Sequence, residues 1–267
     1  MKQRARIIAV SNQKGGVGKT TTAVNLAASL AVAERSVLLV DLDAQANATS
    51  ALGVDKNCSQ LTSYDVLIGR ASVAQARQVM ELAGLDLVPS TGHLIGAEVE
   101  LISLDRREYR LAEALATVAD QYDYILIDTP PSLGLLTINA LTAASSVLVP
   151  LQCEYLAMEG LGDLLRTVQL VRARLNASLK LEGILLTMFD RRNRLSFQVA
   201  DEVGALFKAD VFQTVIPRNI RLSECPSFGK PIVLHDVKSA GSQSYLKLAE
   251  ELMARNRANN PDLSRAL

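Results

Sequence analysis

Short apolar runs alternate with longer stretches of helical spacing along this chain. Ile7–Val10, Val37–Val40, Leu85–Pro89, Tyr124–Asp128, Val147–Pro150, Leu181–Thr187 and Thr214–Pro217 read as strands. They show little polar alternation, the pattern of strands covered on both faces. Between the first two, Ala23, Val24, Leu26, Ala27, Leu30 and Ala31 recur at helical spacing. So do Leu161, Leu164, Leu165, Val168, Val171 and Leu175 within Ala157–Leu175. Further helices are predicted over Leu61–Leu67, Val73–Leu82, Glu98–Ala119, Asp190–Leu206 and Ser242–Arg255. Strand alternating with helix predicts an α/β fold, a mostly parallel twisted sheet with helices on both faces. Residues 256–267 are polar and are expected to form a flexible tail.

Composition narrows the possible partners. The 267 residues carry 28 basic and 28 acidic side chains, so the chain is no general polyanion coat, and any nucleic-acid contact must come from a local patch. Cys58, Cys153 and Cys225 are far apart and lack metal-ligand spacing, which points to plain thiols in a reducing cytosol. No apolar stretch approaches the about 20 residues of a membrane span, and no signal-peptide core follows Met1. A cytoplasmic protein is expected.

The most informative stretch joins the first strand to the first helix: Gln13-Lys14-Gly15-Gly16-Val17-Gly18-Lys19-Thr20-Thr21. Glycines let backbone N–H groups converge on phosphate oxygens, and the helix that follows turns its positive end to the same anion. Lys19 would reach the β- and γ-phosphates and the Thr20 hydroxyl would bind Mg²⁺. The common phosphate loop has glycine where this chain has Gln13, and a second lysine, Lys14, opens the loop. Two other strands end in acids: Val40 runs into Asp41-Leu42-Asp43, and Ile127 into Asp128-Thr129-Pro130-Pro131-Ser132. Carboxylates at these strand ends sit where open α/β sheets bind ligands.

These stretches, with Pro217-Arg218-Asn219-Ile220-Arg221-Leu222-Ser223-Glu224, resemble the deviant-Walker-A ATPases, and within them the ParA/Soj partitioning proteins. The resemblance covers nearly the whole chain and implies a P-loop NTPase fold, with residues 1–255 as one ATPase domain. It implies ATP and Mg²⁺ as ligands, with Lys14, Gly15, Gly16, Val17, Gly18, Lys19, Thr20 and Thr21 around the phosphates and Pro217 and Asn219 at the adenine. Thr20, Asp43 and Asp128 would serve the metal. Asp43 would orient the attacking water, and Asp41 would be structural or stand behind the magnesium. Lys14 would cross a homodimer interface to the partner's nucleotide. Where the family often has Pro-Gln-Gly this chain has Ala44-Gln45-Ala46, which loosens the expected loop but removes no functional group.

Between residues 191 and 221 six basic side chains face three acidic ones. Arg191, Arg192 and Arg194 are as consistent with a solvated loop as with a phosphate-binding patch. The resemblance implies non-specific DNA contact at Arg192 and Arg221, with Arg191 and Arg194 beside them. It also implies release of the DNA by a ParB/Spo0J-type partner, nucleoid association and no membrane contact. Two other functions are weighed. A MinD-like membrane-cycling ATPase needs a terminal amphipathic helix, and Ala254–Pro261 has no apolar face. A nitrogenase-iron-protein-like carrier needs two suitably placed cysteines, and Cys58 and Cys153 lack the context. A ParA-like protein that positions a non-DNA cargo would look the same.

Overall fold

The computed structural model describes residues 4–57, 60–155 and 157–258. In chain order, β1 (Arg6–Val10) leads through the glycine loop to α1 (Lys19–Val32), and β2 (Val37–Asp41) to the short α2 (Asn47–Ala51). Then come α3 (Ser63–Ile68), α4 (Val73–Ala76), β3 (Gln78–Val79), β4 (Leu85–Val88), α5 (Leu94–Leu101) and α6 (Arg110–Ala116). The second half runs β5 (Tyr124–Asp128), α7 (Leu135–Ala143), β6 (Ser146–Gln152), α8 (Ala157–Arg174), β7 (Lys180–Thr187) and α9 (Arg194–Phe207). It closes with α10 (Ile220–Glu224), α11 (Ile232–His235) and α12 (Ala240–Ala258).

The seven strands lie in the order β3-β4-β2-β5-β1-β6-β7, all parallel except β3, which pairs antiparallel with β4 at the edge. Successive strand residues point to opposite faces, and the two faces bury separate cores. Leu38, Val40, Ile125 and Ile127 face a core closed by α3 to α9, while Ile8, Val10, Leu39 and Leu126 face one closed by α1, α2, α10, α11 and α12. This is the expected P-loop NTPase architecture.

Three predicted elements differ. The single helix over Glu98–Ala119 is two, because Arg106 adopts a left-handed conformation (φ 52°) that a helix cannot continue through. The Arg107 carbonyl instead accepts a hydrogen bond from Asn139 Nδ2 at 2.8 Å. The helix over Val73–Leu82 stops at Ala76, and the chain turns extended at Arg77. The Arg77 guanidinium bonds Asp86 and the Tyr122 hydroxyl, each at 3.1 Å, which draws the chain onto the sheet edge as β3. Thr214–Pro217 is no full strand. Ile216 N–H donates to the Leu186 carbonyl of β7 at 2.9 Å and Pro217 bridges Phe189 just past that strand, while the N–H groups of Gln213 and Thr214 donate to the Glu251 carboxylate, each at 2.9 Å. At the other end, α12 runs on to Ala258, past the predicted Arg255, and the rest of the tail lies outside the described residues.

Candidate functional site

The glycine loop emerges from the centre of the sheet. Gly16 and Gly18 take left-handed conformations (φ 76° and 87°), open to glycine and strained for other residues, and Gly18 caps the start of α1. Among the described residues, chain neighbours aside, no atom approaches within 4 Å of where a Cβ would stand at Gly15 or Gly16, which leaves the loop's outer surface open to a ligand. Two bonds hold the frame. Thr187 Oγ1 donates to the Val17 carbonyl at 2.8 Å, and Asn12 Nδ2 donates to the Pro150 carbonyl at 2.7 Å.

The acids converge beneath this loop. Val10, Asp128 and Asp41 are register partners on β1, β5 and β2, so their side chains leave the same edge of three adjacent strands. Their environments differ. Asp41 is fully buried and satisfied: it accepts from Thr49 N–H (2.8 Å), Thr49 Oγ1 (2.7 Å) and Asp43 N–H (3.1 Å). Burial pushes its carboxyl up to about 6, against those hydrogen bonds. This is a structural anchor for the loop that carries Asp43. Asp43 is buried as well, with one carboxylate oxygen accepting from Gln45 N–H at 3.0 Å.

Asp128 is fully buried, and among the described residues neither carboxylate oxygen has a hydrogen-bond partner of normal geometry. Burial and then the Asp41 charge hold its carboxyl well above the usual range, opposed by the nearby Thr20 hydroxyl and, more weakly, by Lys19. A buried acid without partners is costly, and a cation would relieve that cost. Asp128 and the Thr20 hydroxyl are hard oxygen donors of the kind magnesium takes, so the residues present fit that ion. Among the described residues no cluster of three or more acid, histidine or cysteine side chains could hold an ion alone. Magnesium here would take the rest of its shell from phosphate and water. Asp128→Asn is expected to stabilise the nucleotide-free protein by about 1–3 kcal/mol and to abolish the added thermal stability from Mg²⁺ with nucleotide. Calorimetry with and without both ligands checks this; an unchanged ligand shift would remove Asp128 from the metal site.

The two lysines are placed differently. Lys19 is 7 % exposed, and its Nζ donates to the Lys14 carbonyl at 3.0 Å. Burial lowers its pKa, with Asp128 and Asp43 opposing. Lys14 sends its ammonium to Glu154 Oε2, 2.8 Å away on the loop after β6. Glu154 has no signature in the sequence; only the fold brings it to Lys14.

Beside the loop lies a cavity of about 300 Å³ whose lining includes Gly18, Thr21, Thr187, Met188, Pro217 and Asn219. Gly18 and Thr21 of the predicted phosphate residues thus line one hollow with Pro217 and Asn219, the predicted adenine residues. Asn219 caps α10 through its side-chain oxygen, accepting from Leu222 N–H at 3.4 Å, which leaves its amide NH₂ for another acceptor. Tyr245 of α12 also lines the cavity and touches Thr22 of α1, hydroxyl to hydroxyl at 3.2 Å. Neither Met188 nor Tyr245 stood out in the sequence, because each reads as an ordinary core residue.

The arginines lie on two segments that meet beside the cavity, and Arg218 lines it. Phe189 pairs with Pro217, and Arg218 N–H donates to the Phe189 carbonyl at 3.1 Å, so the 190–194 and 218–221 segments are neighbours. Arg192 is 90 % exposed but forked onto Asp190, with two bonds of 3.1 Å. Arg221 pairs with Glu224 at 3.0 Å and lies 3.7 Å from Asp236. Arg191 and Arg194 are exposed, and no ion pair among the described residues holds them. Cys153 and Cys225 are buried thiols, each pushed up to about 11 chiefly by burial; Cys58 lies outside the described residues.

A family model described as an AAA domain matches residues 5–181. The chain is 58% identical to the chromosome partitioning protein ParA of Myxococcus xanthus, over 96% of this chain and 90% of that one. The chain belongs to the ParA/Soj family. It is also 55% identical to the sporulation initiation inhibitor protein Soj of Bacillus subtilis, over 93% of this chain and 98% of that one. A crystal structure of cobyrinic acid a,c-diamide synthase from Mycobacterium smegmatis, with bound ADP and magnesium, superposes with a TM-score of 0.85. It shares 38% identity, over 96% of this chain and 97% of that one. Among the described residues no helix is long and apolar enough to cross a membrane.

Proposed function

We propose that this ParA/Soj member is an ATP-timed DNA-segregation switch: a slow ATPase whose ATP-bound homodimer binds DNA without sequence preference. A ParB/Spo0J-type partner would stimulate hydrolysis and release the DNA. The observation that carries the reading is the difference between the lysines. Lys19 is enclosed with Asp43 and Asp128 and serves its own chain's phosphates. Lys14 keeps a side chain 37% exposed and bound only at the surface, so a second molecule can engage it. The partitioning name belongs to a relative at 58% identity, the amidating name to a structure at 38%, and the higher identity favours partitioning.

In this scheme the glycine-loop N–H groups and Lys19 bind the triphosphate, and Pro217 and Asn219 bind the adenine. Thr20, Asp128 and Asp43 are the residues that would hold magnesium, and the ion would neutralise charge on the transferring phosphate. Asp43 accepts a hydrogen bond from the attacking water and turns it towards the γ-phosphorus. Lys14 reaches the facing chain's nucleotide and adds positive charge as negative charge shifts in the transition state. Loss of the γ-phosphate removes contacts that exist only between chains, and the dimer loosens. The decisive experiment measures ATPase rate with and without DNA and the ParB-type partner, with oligomeric state followed in parallel. A rate unmoved by both would reject the reading.

The DNA surface would join Arg191, Arg192 and Arg194 to Arg221. Two chains double it, and two tethered weak contacts bind far more tightly than one. Arg192 and Arg221 must exchange their acids for phosphates; Arg191 and Arg194 need not. Each substitution to Ala removes two contacts from a dimer. It should weaken binding equally on all sequences and lower the salt slope of affinity by about two. Titrations at several salt concentrations check this, and an unchanged slope would remove that arginine from the surface.

A further inference from the structure

The ammonium of Lys14 is held inside its own chain by a residue outside the phosphate-loop motif. Lys14 Nζ and Glu154 Oε2 are 2.8 Å apart, and Gln152 Nε2 bonds the other Glu154 oxygen. The Glu154 N–H donates to the Gln152 carbonyl at 2.8 Å, which fixes the turn. The backbones are fastened as well: Asn12, which binds the Pro150 carbonyl of β6, accepts from Lys14 N–H at 3.0 Å. Next in sequence, Tyr155 is 85 % exposed, a large ring left uncovered on this loop.

We propose that Glu154 is a positioning residue that parks Lys14 in the single chain, so that dimerisation on ATP requires Lys14 to exchange this carboxylate for the phosphate oxygens of the facing nucleotide. The proposal rests on the reading of Lys14 as acting between chains. An ammonium is a compact point charge, and while it sits on Glu154 it is withheld from a ligand across an interface. Once Lys14 leaves, Glu154 is an uncompensated anion near a triphosphate, which disfavours the departed state. Both side chains are about half exposed, 37 and 47%. A pair so exposed shifts an equilibrium by about fivefold at most. It therefore sets a threshold without locking the chain, and ATP contacts made only in the dimer can overcome it.

The test compares full-length wild type, Glu154→Gln, Lys14→Ala and the double variant. Light scattering against ATP concentration reads dimerisation, and a fluorescent ATP analogue reads nucleotide binding by the single chain, which also reports folding. Glu154→Gln keeps the side chain's shape and removes its charge. It should lower the ATP concentration for half-dimerisation by about three- to fivefold, raise the unstimulated ATPase rate, and leave analogue binding unchanged. The shift should shrink at high salt, which screens exposed pairs. In the Lys14→Ala background Glu154→Gln should change nothing. An unchanged or raised threshold in Glu154→Gln, with dimerisation lost in Lys14→Ala, overturns the parking role and leaves the reading of Lys14 standing. Dimerisation and partner-stimulated turnover both retained in Lys14→Ala overturn both.

Discussion

Lys14→Ala is expected to bind ATP as tightly as wild type while its partner-stimulated turnover falls about 10³-fold or more, the scale of losing an arginine finger supplied in trans. The separation of binding from turnover follows from geometry. The phosphate loop keeps its glycines, its helix start and Lys19, and the Lys14 carbonyl that accepts from Lys19 Nζ is backbone, untouched by the substitution. What is lost is one ammonium, and within a single chain that ammonium sits on Glu154. Were Lys14 an auxiliary phosphate binder for its own chain, the variant would lose ATP affinity before turnover. Equilibrium binding of an ATP analogue, followed by single-turnover hydrolysis with DNA and partner present, distinguishes the two. Weakened binding with an unchanged single-turnover rate would refute the role between chains.

Much of this site is legible before any coordinates because its parts obey local rules. A phosphate loop needs glycine where the backbone turns left-handed, and Gly16 and Gly18 take those conformations. Strands buried on both faces read as unbroken apolar runs, and β2 and β5 are buried throughout. An acid at such a strand's end can be placed by inspection, as Asp41 and Asp128 were. The errors arise where local rules continue past the point at which tertiary contacts intervene. Leu101, Leu104, Leu111 and Leu115 keep near-helical spacing across a break set by Arg106 and by an amide from Asn139 on another helix. Gln213 and Thr214 read as strand, yet their N–H groups are taken by Glu251 of the last helix. Glu154 is the clearest case. It stands 140 positions from Lys14, in no motif, and only the adjacency of β1 and β6 brings the two together. The opposite charges beside Arg192 and Arg221 were equally hidden: Asp190 belongs to no DNA-binding pattern, and Asp236 lies 15 positions from its arginine.

Asp43→Ala should also stop turnover, but from within the dimer: ATP binding, dimerisation and DNA binding persist, and turnover falls by about 10²–10⁴, the range for a positioned general base. The neighbouring acid shows why the two effects separate here. Asp41 anchors its loop through three accepted hydrogen bonds, so removing that carboxylate would act on the fold. Among the described residues the Asp43 carboxylate accepts from Gln45 N–H through one oxygen, and its backbone carbonyl, which accepts from Ser90 Oγ at 2.7 Å, survives the change to alanine. The loop should hold while the chemistry stops. The two inactive variants also test each other. If Lys14 works on the facing site, a mixed dimer of one Lys14→Ala chain and one Asp43→Ala chain contains one complete site, built from the first chain's Asp43 and the second chain's Lys14. Mixing them should restore turnover that neither shows alone. If both residues serve their own chain's nucleotide, no site in the mixture is complete and the activity stays at the sum of the parts. Recovery on mixing, measured with partner and DNA present, therefore decides whether the catalytic unit is one chain or two.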